Sequence, residues 1–213
     1  MSRARGPAGC RERVTYDRKD APYRQAKAAG YRARSAYKLI QLDDRFRLLR
    51  RGDWVADLGA WPGAWLQVAA ERVGPRGRVV GIDLVAIEPL RSPNVTCVVG
   101  DVRDPTAIAT VRDHLGGPAS VVLCDLSPKL SGVRATDDAR ASELTSAALD
   151  AAALLLRPHG RLLVKLFMSP NYAAHVARLK TSFAEVRTTR PEASRRGSSE
   201  LYAVCSGYSA ACG

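Results

Sequence analysis

Residues 53–84, "DWVADLGAWPGAWLQVAAERVGPRGRVVGIDL", decide the fold. "DWVADLG" (53–59) is an apolar run closed by glycine, the form of a buried strand. "GAWLQVAAERV" (63–73) has apolar residues at helical spacing, and "GRVVGIDL" (77–84) is a second strand. Gly59 and Gly63 permit tight turning and close backbone approach to a ligand. Strand, glycine turn, helix and strand in succession make a unit that builds parallel sheets.

The alternation continues outward. "NVTCVVGD" (94–101) reads as a strand, "PTAIATVRDHL" (105–115) as a helix and "ASVVLCDL" (119–126) as a fourth strand. "ARASELTSAALDAAALLLRP" (139–158) reads as a long helix ended by proline and glycine. "GRLLVKLF" (160–167) is a fifth strand and "NYAAHVARLKTSF" (171–183) a helix. "AEVRTTR" (184–190) and "ELYAVCSGY" (200–208) suit a closing strand pair. On the amino-terminal side, "SAYKLIQLDDRF" (35–46) is helical, with Ser35 as its cap. The expectation is an α/β fold: a mostly parallel seven-stranded sheet, helices on both faces and an antiparallel closing strand. A basic arm (1–22), a single domain (23–209) and a short tail (210–213) complete the organisation.

With 213 residues and 46% hydrophobic composition the chain suits one globular domain. No apolar run approaches the roughly 20 residues that span a bilayer, so no membrane partner is expected. Five cysteines lack C-x-x-C pairing, which argues against zinc and for packed thiols in a reducing compartment. The net charge of +12 is uneven: residues 1–38 hold eight Arg and three Lys against three acids. Tyr16, Tyr23, Tyr31 and Tyr37 are interleaved with them. Cations meet phosphates and rings stack on bases, so residues 16–38 suit RNA, while 1–15 read as a solvated tail.

Parallel sheets bind ligands at the carboxyl ends of their strands. There stand the turn "DLGAWPG" (57–63), Asp83 after strand two, Asp101 after strand three and Asp125 after strand four. Asp83 suits a ribose diol and Asp101 an adenine amino group. The G-x-G-x-x-G spacing of dinucleotide enzymes is absent, which disfavours a dehydrogenase. Lys165 interrupts the apolar strand "GRLLVKLF". A buried ammonium costs several kcal/mol unless it is paired or loses its proton, so it marks a site.

The motifs "RARSAYKL", "DLGAWPGAW", "GIDL", "GDVRD", "CDLSPKLSG", "LLVKLF" and "SRRGSSELYAVC" resemble those of the FtsJ/RrmJ family of S-adenosylmethionine-dependent ribosomal RNA 2′-O-ribose methyltransferases. They run from about Tyr23 to Tyr208 in family order. The resemblance implies a Rossmann-like fold and a catalytic tetrad of Lys38, Asp125, Lys165 and Glu200, with Lys165 as proton acceptor. It implies a cofactor site of Gly59, Pro62, Gly63, Trp65, Asp83, Asp101 and Asp125, with S-adenosylhomocysteine as product and no metal. Arg32, Arg34 and Lys38 become candidate RNA contacts. Trp61 and Ala64 depart from the family, which usually has a small residue and a glycine there. The implied reaction is 2′-O-methylation of a ribose, with uridine the family's usual target, in large-subunit ribosomal RNA, by a cytoplasmic monomer. Transfer RNA or an mRNA cap is the alternative substrate. A non-catalytic RNA-binding assembly factor is the alternative class. Whether Lys165 is a base or only orients the hydroxyl stays open at this point.

Overall fold

The structure, a computed structural model, describes residues 21–129, 131–193 and 200–209. The expected basic arm lies outside these residues except for its last two, and so does the tail 210–213.

The elements follow in the order α1 (Ala21–Ala28), α2 (Ala36–Phe46), β1 (Trp54–Leu58), α3 (Ala64–Val73), β2 (Arg78–Asp83) and β3 (Val95–Val99). Then come α4 (Pro105–Leu115), β4 (Ala119–Cys124), α5 (Arg134–Leu155), β5 (Leu156–Phe167), α6 (Tyr172–Ser182), β6 (Phe183–Thr189) and β7 (Glu200–Tyr208). One seven-stranded sheet has the order β3-β2-β1-β4-β5-β7-β6. Only β7 runs antiparallel to its neighbours. The valine-rich strands bury both faces. Leu58, Ile82, Cys124 and Val164 pack with α4 and α5 on one side. Val55, Val79, Leu123 and Leu163 pack with α2 and α3 on the other.

Some boundaries were written plainly in the chain. Asp104 caps α4 by accepting from the Thr106 N–H at 2.8 Å, Pro105 opens the helix and Gly116 closes it at φ 82°. Others differ. Ser35 does not cap α2 with its side chain; it is itself in the helical region at φ −60°. Helix α5 begins at Arg134, ahead of the expected 139. Asp137 fixes that start, its carboxylate accepting from Ser131 N–H and Oγ and from Gly132 N–H. The helix also ends before Pro158 and Gly160, which lie inside β5. Ala119 pairs with Leu156 but Val121 with Arg161, so residues 157–160 form an irregular detour. His159 takes φ 59° there.

Register positions the site. Leu58 pairs with Ile82 and Cys124, and Cys124 with Val164. One residue further along each strand come Gly59, Asp83, Asp125 and Lys165, so these four form one row. Lys165 pairs with Tyr202 across the antiparallel strand.

Candidate active site

The turn after β1 is built for close approach. Gly59 has φ 81°, and a Cβ there would lie 2.5 Å from Leu126 Cδ2. Gly63 has φ 102°, with Arg32 Nη1 at 3.0 Å and Ile87 Cγ2 at 3.2 Å from where a Cβ would sit. The Trp61–Pro62 peptide is cis. The Gln67 N–H donates to the Gly63 carbonyl, so the N–H groups of Ala64, Trp65 and Leu66 precede the first intrahelical bond and face the turn.

Asp83 pins this turn. Its Oδ2 accepts from the Trp61 N–H at 2.9 Å and its Oδ1 from the Val85 N–H at 2.9 Å. A carboxylate has about four lone-pair sites, so it retains capacity for ribose hydroxyls. Asp101 stands at the end of β3, but both its oxygens are taken by Arg103, which lowers its pKa by those hydrogen bonds. An adenine amino group would have to share that carboxylate with the guanidinium. Trp65 is buried, its indole N–H donating to the Ser35 carbonyl at 2.8 Å. Its side chain joins α3 to α2, which leaves its main-chain N–H as the group nearest the turn.

Arg32, an expected RNA contact, also makes contacts within the protein. Its Nη1 donates to the Pro62 and Glu88 carbonyls at 3.0 and 2.6 Å, and its Nη2 to the Pro89 carbonyl at 2.8 Å. The guanidinium is a clamp that ties the glycine turn to the loop after β2. Arg34 lies half-buried in the turn before α2.

The four tetrad residues converge. Lys165 is buried, and its Nζ reaches Asp125 Oδ1 at 2.9 Å and the Asp125 carbonyl at 3.1 Å. It also donates to the Ser127 hydroxyl. Lys38 Nζ reaches Glu200 Oε1 at 2.6 Å and the Tyr202 hydroxyl at 3.3 Å. Tyr202 in turn donates to Asp125 Oδ1 at 2.7 Å. Lys165 faces the α2 side because Val164 and Leu166, its neighbours on the strand, face the other.

Three contributors escaped the sequence reading. Ser127 lies two residues after Asp125 in "CDLSP". Tyr202 sits two residues from Glu200, and the two-residue period of a strand carries the signal that they share a face. The third is Asp57, completely buried in β1 with neither carboxylate oxygen hydrogen-bonded among the described residues. Burial first, then the Asp125 and Asp83 carboxylates, hold its carboxyl well above the usual range. Three acids thus surround the glycine turn, and the innermost has no partner. That is the donor set for a small cationic ligand.

A sheet of this order with one antiparallel strand, a glycine turn after β1 and acids after β2, β3 and β4 defines a Rossmann-like methyltransferase. The chain belongs to the FtsJ-like methyltransferase family, whose sequence profile matches residues 31–208. It is 42% identical over 185 residues to the ribosomal RNA large subunit methyltransferase E of Methanobrevibacter smithii, covering 87% of this chain and 88% of that one. The protein of the same name from Methanothrix thermoacetophila is 46% identical over 188 residues, covering 88% and 72%. A solved structure described as that of a ribosomal RNA methyltransferase from Plasmodium falciparum aligns with TM-score 0.75 and 27% identity, covering 84% of this chain and 98% of that one. Aeropyrum pernix fibrillarin, solved with S-adenosylmethionine, shares the fold at TM-score 0.57 and 16% identity, covering 80% and 76%.

Proposed function

We propose that the protein transfers a methyl group from S-adenosylmethionine to a ribose 2′-hydroxyl, with uridine the expected nucleotide, in large-subunit ribosomal RNA. The observation that carries this is the convergence of Lys38, Asp125, Lys165 and Glu200 beside a glycine turn ringed by acids. The names of the relatives support the RNA. When bound, the cofactor supplies an electrophilic methyl on a sulfonium. Its ammonium fits the unpartnered Asp57 and the free side of Asp125, and its ribose fits Asp83. Gly59 and Gly63 let Leu126, Arg32 and Ile87 close against the turn and so hold the shape that would receive it.

The protein's own work is orientation and proton handling. Lys165 is the group we assign to the 2′-hydroxyl, with Lys38 beside it stabilising the developing negative oxygen. Holding the hydroxyl in line contributes on the order of 7–11 kcal/mol by itself. Three oxygens surround Lys165 Nζ, matching the three protons of an ammonium. That observation favours a second version of the step, in which Lys165 stays charged, turns one proton from Ser127 to the incoming hydroxyl to orient it, and the hydroxyl proton leaves late. The pH dependence separates the two: a base gains activity as it deprotonates, an orienting ammonium loses it.

We assign the activity to a monomer acting through the single domain 23–209. Free Cys97, Cys124 and Cys205 support a reducing, cytoplasmic setting. Arg34 and the basic segment before α2 are our candidate RNA contacts. The test is to map 2′-O-methyl riboses in ribosomal RNA from cells with and without the protein. One large-subunit position should lose its methyl group without it. Loss confined to transfer RNA or to a cap would move the substrate, and an unchanged map would refute the reading.

A further inference from the structure

We propose that Tyr202 is a positioning residue that couples the two lysines, through one hydrogen-bond chain running Glu200–Lys38–Tyr202–Asp125–Lys165. This rests on the function proposed above. The links are Lys38 Nζ to Glu200 at 2.6 Å and to the Tyr202 hydroxyl at 3.3 Å. Tyr202 then donates to Asp125 Oδ1 at 2.7 Å, and the same oxygen lies 2.9 Å from Lys165 Nζ.

The direction of the chain is fixed by chemistry. An ammonium has no acceptor, so the phenol oxygen accepts from Lys38, and its single proton goes to Asp125. That proton stays in place, because burial and the Asp125 and Glu200 carboxylates hold the phenol far above its ordinary range. Tyr202 is therefore a neutral donor and not a base. The ring cannot swing: it is fully buried, lies 6.1 Å from the Trp65 ring, and its main chain pairs with Lys165 in the sheet. Trp65 in turn holds the start of α2, the helix that carries Lys38. One buried hydroxyl thus sets the spacing of two cations from different layers of the fold. The titratable groups facing this chain are Lys38 on α2, Asp57 on β1, Cys124 and Asp125 at the end of β4, Lys165 on β5 and Glu200 on β7.

Tyr202→Phe keeps the ring and deletes the hydroxyl. Single-turnover methylation of large-subunit RNA should fall tenfold or more, while calorimetric affinities for S-adenosylmethionine and RNA stay within threefold. Asp125, relieved of a donor, should hold the Lys165 ammonium harder, so the Lys165 limb of the pH–rate profile moves to higher pH. The double variant with Lys38→Met should fall no more than threefold below Lys38→Met alone, because without Lys38 the bridge has no second cation to position. Three results overturn the inference: a Tyr202→Phe rate within twofold of wild type, single losses that multiply in the double variant, or an unmoved pH limb. If Tyr202→Phe does not fold, 3-fluorotyrosine at position 202 keeps the hydroxyl and makes it a stronger donor. The limb should then move to lower pH, and no movement overturns the bridge. A wild-type protein that methylates no ribosomal RNA overturns the proposed function and this inference together. An active wild type with an indifferent Tyr202→Phe overturns the inference alone.

Discussion

Strand β5 buries two cations on the same face, Arg161 just after the detour at 157–160 and Lys165 near its end. Arg161 grips both oxygens of Asp53 at 2.9 and 2.8 Å and donates to the Leu48 carbonyl. Side-chain exposures of 8% and 7% leave that pair closed on both sides. Lys165 is as buried at 4%, but its partner Asp125 is 18% exposed and borders the glycine turn. The same strand therefore carries a fastener at the amino end of the sheet and, at the carboxyl end, the group we assign to the reaction. Burial of charge does not identify a site by itself. Where the partner opens to a ligand, it does.

Substitution separates the two cations. Arg161→Met leaves Asp53 buried and unpaired, which costs about 3–5 kcal/mol of stability. Chemical denaturation should show that loss, with methyl transfer per folded molecule unchanged. Replacing Asp53 as well should recover much of it. A fall in activity without a fall in stability would erase the distinction.

Lys165→Met should do the reverse. Methyl transfer falls by at least ~10²-fold, the lower range for a positioned acid–base group, with the cofactor still bound. Lys165→Arg should not rescue it, since guanidinium keeps its proton and has a different shape.

Asp83→Ala should weaken S-adenosylmethionine about tenfold or more, since a charged hydrogen bond contributes roughly 1.5–3 kcal/mol. Calorimetry on the folded variant checks it, and unchanged affinity would remove Asp83 from the site.

Asp57 gives a pH test. Its folded-state pKa is raised, so the folded protein keeps a proton that the unfolded chain has lost. Stability is then full below the unfolded value of about 4 and falls as pH rises, by at most about 1.4 kcal/mol per unit. Asp57→Asn should flatten that slope in melts without ligand, and weaken cofactor binding. A slope unchanged by the substitution would place the carboxyl in a different state.

Much of this was legible in the chain. Valine-rich strands closed by glycine or aspartate, with helices between them, dictated the sheet. Lys165 announced itself as a charge among Leu162, Leu163, Val164, Leu166 and Phe167. What escaped depended on partners distant in sequence. The "RPHG" stretch looks like a helix stop, yet pairing of Leu156 with Ala119 draws it into β5. The clamp made by Arg32 was hidden too, since in the chain it is one arginine of the basic segment 16–38. Only the folded chain brings the Glu88 and Pro89 carbonyls against it. Tyr202 and Asp57 read as ordinary strand residues until register sets them against Asp125.

The most direct test is to incubate undermethylated large-subunit ribosomal RNA with methyl-labelled S-adenosylmethionine and either wild-type or Lys165→Met protein, then digest the RNA to nucleosides. Both proteins should bind the cofactor equally. Only wild type should place label on a ribose 2′-oxygen. Label on a base, or equal ribose label from both proteins, would contradict the account.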